Sequence, residues 1–159
     1  MNNVAETKES PKLDIEKTIN DILNTIERDR EREIISRRYG LFDRKETLEQ
    51  IGELLGITRE RVRQLEKAVV ARLKAMAEED LPHIKEVETA FSDEIKRLGH
   101  VARIIDLTEA LADGTSKLDQ ARISFLAQLV PSLAYVDESD HFFMSAGIAG
   151  THSEKAIRA

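Results

Sequence analysis

Hydrophobic residues recur every three or four positions along most of the chain, which is the period of an α-helix. The first such run starts after Asp14, a residue suited to cap a helix, and carries Ile15 and Ile19 on one side. A second run ends at Gly40, a residue type that commonly terminates helices. The pattern therefore predicts helical structure in the first quarter of the chain, in which RDREREIISRRYG either continues the first helix or starts a new one.

Two more short helices are predicted in the stretch TLEQIGELLGITRERVRQLEKAV, which begins at Thr47. Thr47 and Gln50 have the spacing of a capping box, Gly56 is placed to end the first helix, and Thr58 is placed to cap the second, which runs to about Ala77. Two helices joined by a glycine-containing turn are typical of a helix-turn-helix. The apolar side chains expected to face inward are Leu48, Ile51, Leu54, Leu55, Val62, Leu65, Val69, Leu73 and Met76.

After Pro82 the pattern changes to shorter elements. Helices are predicted over 84–98, over VARIIDLTEALA (101–112) and over 117–130. The runs LAYV and HFFMSA flank the polar stretch DESD and predict a β-hairpin. Helices followed by one hairpin indicate a winged-helix unit, although a loose helical hairpin would share much of this pattern.

We therefore expect a mainly α protein, with a helix-turn-helix domain followed by a small winged-helix-like α+β domain. The predicted divisions are a disordered tail over 1–11, the helix-turn-helix domain over 12–78, the winged-helix-like domain over 84–146 and a flexible tail over 147–159. No repeat of fixed period interrupts this order.

The composition of the chain excludes several classes of protein and of functional site. The 159 residues include no cysteine, so disulfides and thiolate metal sites are excluded. No apolar run approaches the length of a membrane span and the N-terminus lacks a signal-peptide core, so we expect a cytoplasmic protein that does not contact membranes. The four histidines are widely separated and no phosphate loop or nucleophile motif occurs. We expect no enzyme activity, no metal and no cofactor.

Charge is distributed unevenly along the chain, whose net charge is −6. The segment 58–77 holds six basic and two acidic residues, a balance of +4. The segment 78–140 holds six basic and fourteen acidic residues, a balance of −8. Such asymmetry predicts two parts with different partners, of which the basic one suits nucleic acid.

The predicted helix after Thr58 carries side chains that can read bases in the major groove of double-stranded DNA. Arginine pairs with guanine, glutamine with adenine, and glutamate accepts a hydrogen bond from cytosine. Arg59, Glu60, Arg63 and Gln64 supply all three types within the first two turns. The alternative is a solvated helix face whose charges form local ion pairs.

The stretch ETLEQIGELLGITRERVRQLEKAVVARLK resembles region four of primary bacterial sigma factors, and EREIISRRYGLFDRKE resembles the helix before it. The resemblance covers about 26–77, roughly a third of the chain, and implies recognition of the upstream promoter hexamer. By position, it implies base reading by Arg59, Glu60, Arg63 and Gln64. The residues expected at or near the DNA backbone, or as supporting charge, are Thr47, Thr58, Arg61, Lys67, Arg72 and Lys74.

The same resemblance implies RNA polymerase as a partner, because region four of the family grips the flap of the polymerase β subunit in an apolar groove. Ile19, Leu23 and Ile34 are the residues expected to line that groove. The acidic C-terminal part is similar to the N-terminal domain of the polymerase delta subunit. We expect that part to bind protein, either polymerase or a second copy in a homodimer. A basic patch of Lys96, Arg97, Arg103 and Arg122 would argue against this.

Two functions follow from these patterns. The first is a sequence-specific DNA-binding transcription factor that acts at promoters with RNA polymerase. The second is a protein-interaction module, such as a sigma mimic, that contacts polymerase without reading DNA.

Overall fold

The computed structural model describes residues 12–136 and 141–144. The predicted tails 1–11 and 147–159, and the predicted hairpin turn DESD, lie outside these residues. No helix in the described ranges is both long and apolar enough to cross a membrane. The elements are α1 Ile15–Leu23, α2 Asp29–Tyr39, α3 Leu48–Leu55, α4 Arg59–Ala77, α5 Ile84–Arg97, β1 Val101–Arg103, α6 Ile104–Leu111, α7 Lys117–Leu129, β2 Leu133–Val136 and β3 His141–Met144. The protein is mainly α, as predicted.

The helix ends follow the local signals in the sequence. The carboxylate of Asp14 accepts a hydrogen bond from the backbone N–H of Lys17 at 3.2 Å, which caps α1. Gly40 ends α2 in the left-handed region at φ 66°. Both ends were predicted, because caps and stops depend on neighbouring residues alone.

A small antiparallel sheet lies in the C-terminal part, with the strand order β1-β3-β2. β2 and β3 form the predicted hairpin, in which Tyr135 is opposite Phe142. β1 corrects the prediction of a helix from Val101, since Val101 pairs with Phe143 and the helix begins only at Ile104. The reason is that β1 is stabilised by a strand much later in the chain, and local periodicity does not report that contact.

The main hydrophobic core is built from α1, the second half of α4, and the helices α5, α6 and α7. Ile19, Leu73, Phe91, Leu107 and Phe125 are all at most 2% exposed within it. The core therefore runs across the predicted boundary between residues 78 and 84. α1, which precedes the helix-turn-helix in sequence, packs against α7 of the acidic C-terminal part.

Polar contacts join the same parts of the chain. The backbone N–H of Leu13 donates to the carbonyl of Leu111 at 2.8 Å, so the segment before α1 is bound to the end of α6. The carboxylate Oδ2 of Asp21 on α1 lies 2.6 Å from Nε2 of His83, the residue before α5. These contacts hold α1 against the C-terminal part.

The three residues predicted to line a groove for the polymerase flap are buried instead. Ile19 and Ile34 are fully buried and Leu23 is 5% exposed. Ile19 and Leu23 belong to the main core, whereas Ile34 belongs to a separate small cluster between α2, α3 and α4. The apolar side of α1 is covered by the chain itself, so these three residues line no open groove.

A candidate DNA-binding helix

The helix-turn-helix has a small core of its own that sets the position of α4. Ile34 of α2, Ile51 of α3 and Val62 of α4 are fully buried against one another. Leu48, Leu55, Ile57 and Leu65 pack around them and are partly buried. Leu54 was expected to face inward but is 55% exposed, because the apolar stripe of α3 is wider than the surface that α2 and α4 cover.

Glycines permit the tight turn between α3 and α4. Gly56 has φ 72°, a left-handed conformation that side chains other than glycine adopt only at a cost. Gly52 needs its small size instead, since a Cβ atom there would lie 2.7 Å from the carbonyl oxygen of Ile57. The turn can therefore bring the start of α4 close to α3.

α4 begins with a side-chain cap. The hydroxyl oxygen of Thr58 accepts a hydrogen bond from the backbone N–H of Arg61 at 3.0 Å. Val62 turns inward one position later, which leaves the neighbouring polar side chains exposed. Arg59, Glu60, Arg63 and Gln64 are all exposed in the first two turns. The structure brings the four predicted base readers together on an accessible surface.

Glu60 and Arg63 form a two-bond ion pair on this surface. Arg63 Nε donates to Glu60 Oε1 at 3.0 Å and Nη2 donates to Oε2 at 2.6 Å. The hydrogen bond from Arg63 holds the pKa of Glu60 below its usual value, and the same bond raises the pKa of Arg63. Both side chains are more than half exposed, so solvent screens the attraction and the pair adds little stability.

The remaining polar residues of this face are held less firmly. Arg61 Nη1 donates to the side-chain oxygen of Gln64 at 3.4 Å, a long hydrogen bond. Arg59 and Lys67 are exposed. The local ion pairs of the solvated-face alternative are thus present at Glu60 and Arg63, on the same surface that could meet DNA.

Two of the predicted backbone contacts are threonines that cap helices. Thr47 closes a capping box with Gln50 at the start of α3, and Thr58 caps α4. In both, the hydroxyl oxygen accepts from a backbone N–H, so its own proton stays available to a phosphate. Each cap also points the positive end of a helix dipole outward, which favours an anion there.

Arg72 and Lys74 lie far from the start of α4. At 1.5 Å per residue, Arg72 is about 20 Å along the helix from Arg59. Its guanidinium is 2.5 Å from the buried carboxylate of Glu31 on α2. Lys74 is exposed one turn from the end of the helix. The structure therefore separates these two residues from the predicted readers.

Two arginines of α2 that the sequence did not single out brace this unit. Arg37 Nη1 donates to Glu46 at 2.7 Å, just before α3, and Arg38 Nε donates to Glu66 on α4 at 3.3 Å. These partners are distant in sequence, so no helical spacing indicates them. They connect α2 to both helices of the helix-turn-helix and so help to fix the angle at which α4 is presented.

The cations of the acidic part do not form the basic patch that would suggest DNA binding. Arg97 pairs with Glu94, and Arg103 pairs with Asp106 at 3.2 Å. Arg122 is 8% exposed and its Nε donates to the carbonyl of Leu41 at 2.7 Å. Lys96 is exposed. Of the four residues, three are engaged within the protein.

Within 12–136 and 141–144, no group of three or more histidine, aspartate or glutamate side chains could hold a metal ion. The side chains that converge at the start of α4 are instead suited to hydrogen bonding.

Comparisons with known proteins agree with the geometry of this unit. Residues 28–75 match the family described as sigma-70, region 4. The chain is 43% identical over 68 residues to the RNA polymerase sigma factor sigB of Arabidopsis thaliana, covering 42% of this chain and 11% of that protein. It is 57% identical over 47 residues to the RNA polymerase principal sigma factor HrdC of Streptomyces coelicolor, covering 29% of this chain and 14% of that protein.

The chain thus spans between a tenth and a seventh of the length of these relatives. No solved structure gave a significant match. The matched range begins just before α2 and ends near the end of α4. The part of the chain that contains the exposed readers is therefore similar to sigma-70 region 4.

Proposed function

We propose that the chain is a sequence-specific DNA-binding transcription factor of sigma region-four type, which acts at promoters with RNA polymerase. The observation that carries this proposal is the face of α4 where Arg59, Glu60, Arg63 and Gln64 are exposed together on a capped helix. The match of residues 28–75 to sigma-70 region 4 supports it. The relatives are named as RNA polymerase sigma factors, which supports polymerase as a partner.

In this proposal α4 lies in the major groove with its first two turns at the base edges. Arg63 donates two hydrogen bonds to a guanine, Gln64 meets an adenine, and Glu60 accepts from a cytosine. Arg61 and Lys67 neutralise phosphates, and the hydroxyls of Thr47 and Thr58 meet the backbone. The mechanism is non-covalent, needs no metal or cofactor and includes no enzymatic step.

The C-terminal part is proposed to be a winged-helix unit that binds protein rather than DNA. Its order of helix, strand, two helices and hairpin supports this classification. α7 is the second helix of the pair α6 and α7, and its side chains Arg122, Phe125 and Leu129 are buried. The charge balance of −8 over 78–140 disfavours contact with DNA phosphates and so supports a protein partner. We also predict a homodimer through this part. A contact with the polymerase flap remains a prediction too, and it would have to use residues other than the buried Ile19, Leu23 and Ile34.

A second function is favoured by one observation. The pairing of Glu60 with Arg63 joins two of the predicted readers to each other within the protein. A sigma mimic that occupies polymerase without reading DNA would keep this pair as a surface contact. In that case sequence preference is absent.

Fluorescence anisotropy with the full chain separates these functions. The probes are a duplex with the upstream promoter hexamer and a duplex with the same bases scrambled, each at two salt concentrations. A reader prefers the hexamer at both salts, and Arg63→Ala removes that preference. Arg103→Ala is the matched control, since Arg103 is also an exposed arginine paired with a carboxylate three residues away. A wild type that does not distinguish the duplexes would overturn the proposal of base reading.

A further inference from the structure

A cleft of about 620 Å³ opens between the loop after α2 and the helices α6 and α7. One wall comes from the segment 40–45, which belongs to the region matched to sigma-70 region 4. The other wall comes from the C-terminal part, which lies outside that match. The cleft therefore exists only because the two parts are packed together, and its size is within the range of ordinary ligand sites.

The apolar portion of the cleft contains an aromatic ring that is held in place. Phe42 is 44% exposed, while Ile104, Leu118 and Ala121 supply further apolar lining. The guanidinium of Arg122 lies over the Phe42 ring at 5.4 Å. Arg122 is itself buried and bonded to the carbonyl of Leu41, so this support is fixed before any partner arrives. Rigid aromatic side chains of this kind are frequent anchors in protein interfaces.

Three cations line the same cleft. They are Arg44 and Lys45 on the loop and Lys117 at the start of α7, and Asp43 is the one acidic residue in the lining. In the described part of the chain, none of the three cations has an ion-pair partner, whereas most arginines of the helices do. Arg44 and Lys45 belong to the segment matched to sigma-70 region 4, whereas Lys117 belongs to the acidic C-terminal part. An occupant that carries carboxylates would complement this positive charge.

We propose that this cleft binds an acidic peptide segment of a partner protein, with a large apolar side chain placed between carboxylates. The apolar side chain packs on Phe42 and Leu118, and the carboxylates pair with Lys45 and Lys117. A peptide fits better than DNA, because a duplex backbone is convex and has no apolar group to cover the Phe42 ring. This surface is separate from the start of α4, so the proposal does not depend on base reading.

Binding of a labelled probe peptide to the full-length chain tests this directly. The probe is a short fluorescein-labelled peptide of glutamate and leucine with one central phenylalanine, and its neutral twin has glutamine for each glutamate. We expect saturable binding of the acidic probe and weakening by at least about tenfold in the double variant Lys45→Glu, Lys117→Glu and in Phe42→Ala. The substituted residues are on the surface, and circular dichroism checks that each variant is folded.

Two matched variants serve as controls. Lys96→Glu changes the charge of an exposed lysine elsewhere in the acidic part, and Leu54→Ala removes an exposed apolar side chain from α3. Both should bind the acidic probe as the wild type does. Arg63→Ala should also leave it unchanged, which separates this proposal from that of DNA reading.

Three results would overturn the proposal. The first is no saturable binding of the acidic probe. The second is that the wild type binds the neutral twin as tightly as the acidic probe, or that Lys96→Glu and Leu54→Ala weaken binding of the acidic probe as much as the cleft variants do. The third is a loss of duplex affinity in the Lys45, Lys117 double variant with probe binding unchanged, which would assign these cations to a DNA contact instead.

Discussion

At the scale of single residues, the central feature is the pair formed by Glu60 and Arg63. Each is a predicted base reader, and each is the other's partner in the free protein. The pair uses Nε and one N–H of Nη2, and it orients the Arg63 guanidinium before DNA arrives. The N–H groups of Nη1 and the second N–H of Nη2 can still make a two-bond contact with guanine, so Glu60 can hold Arg63 in place while Arg63 reads a base.

The ionisation of Glu60 offers a prediction at this scale. The Arg63 hydrogen bond lowers the pKa of Glu60, so Arg63→Ala should raise that pKa towards its ordinary value. Because the folded pKa lies below the unfolded one, the pair stabilises the fold above the unfolded pKa, and that contribution is lost as the pH falls through the folded pKa. An NMR titration of the Glu60 carboxyl measures both variants. Arg59→Ala is the control and should raise the pKa less, since Arg59 contributes least. Equal effects of the two variants would contradict this assignment.

At the scale of elements, local chemistry explains which parts of the fold could be predicted. The caps at Asp14, Thr47 and Thr58 and the stop at Gly40 depend on residues within one helical turn, so they can be read from the sequence. β1 depends instead on a partner strand distant in sequence, and so it was expected to be helical. The exposure of Leu54 could not be predicted either, because it depends on how much of α3 its neighbours cover.

The turn between α3 and α4 gives a prediction at the element scale. Gly52→Ala should lower the free energy of unfolding by about 1–3 kcal/mol, since the added methyl group meets the carbonyl of Ile57. Urea denaturation followed by circular dichroism measures this. Glu53→Ala is the control in the same helix, and we expect a change within about 0.5 kcal/mol there because Glu53 is exposed. A Gly52→Ala protein as stable as the control would show that the turn can relax.

The cap of α4 gives a second prediction at this scale. Thr58→Ala removes the acceptor for the backbone N–H of Arg61 and should cost about 0.5–2 kcal/mol of stability. Thr58→Ser keeps the hydroxyl and should lose little. If the two variants unfold at the same urea concentration, the hydroxyl cap does not stabilise α4.

At the scale of the whole molecule, the two predicted domains share their main core. α1 precedes the helix-turn-helix in sequence but packs on α7, and Arg122 of α7 bonds back to Leu41 after α2. The sequence indicated the change of charge at residue 78, but it did not indicate this packing. Amphipathic patterns show which face of a helix is buried and leave open which helix covers it.

Shared packing predicts cooperative unfolding of the full chain. A fragment of residues 12–78 would expose Ile19, Ile22 and Leu73, which the C-terminal part covers in the full chain. We expect this fragment to be less helical per residue than the same range in the intact protein and to unfold at lower temperature. Circular dichroism with thermal denaturation measures both. A fragment with full helicity and an unchanged midpoint would show that the 12–78 range is an independent domain.

The most direct test of base reading is a double-mutant cycle between Arg63 and single guanines of the promoter hexamer. Each guanine is replaced in turn by its 7-deaza analogue, which lacks the N7 acceptor, and binding is measured for wild type, Arg63→Ala and the control Arg103→Ala. We predict one guanine whose replacement costs about 1–3 kcal/mol in wild type and in Arg103→Ala, and almost nothing in Arg63→Ala. If no guanine in either strand couples to Arg63, then Arg63 does not read guanine through N7 and the assignment of α4 as the reading helix is contradicted.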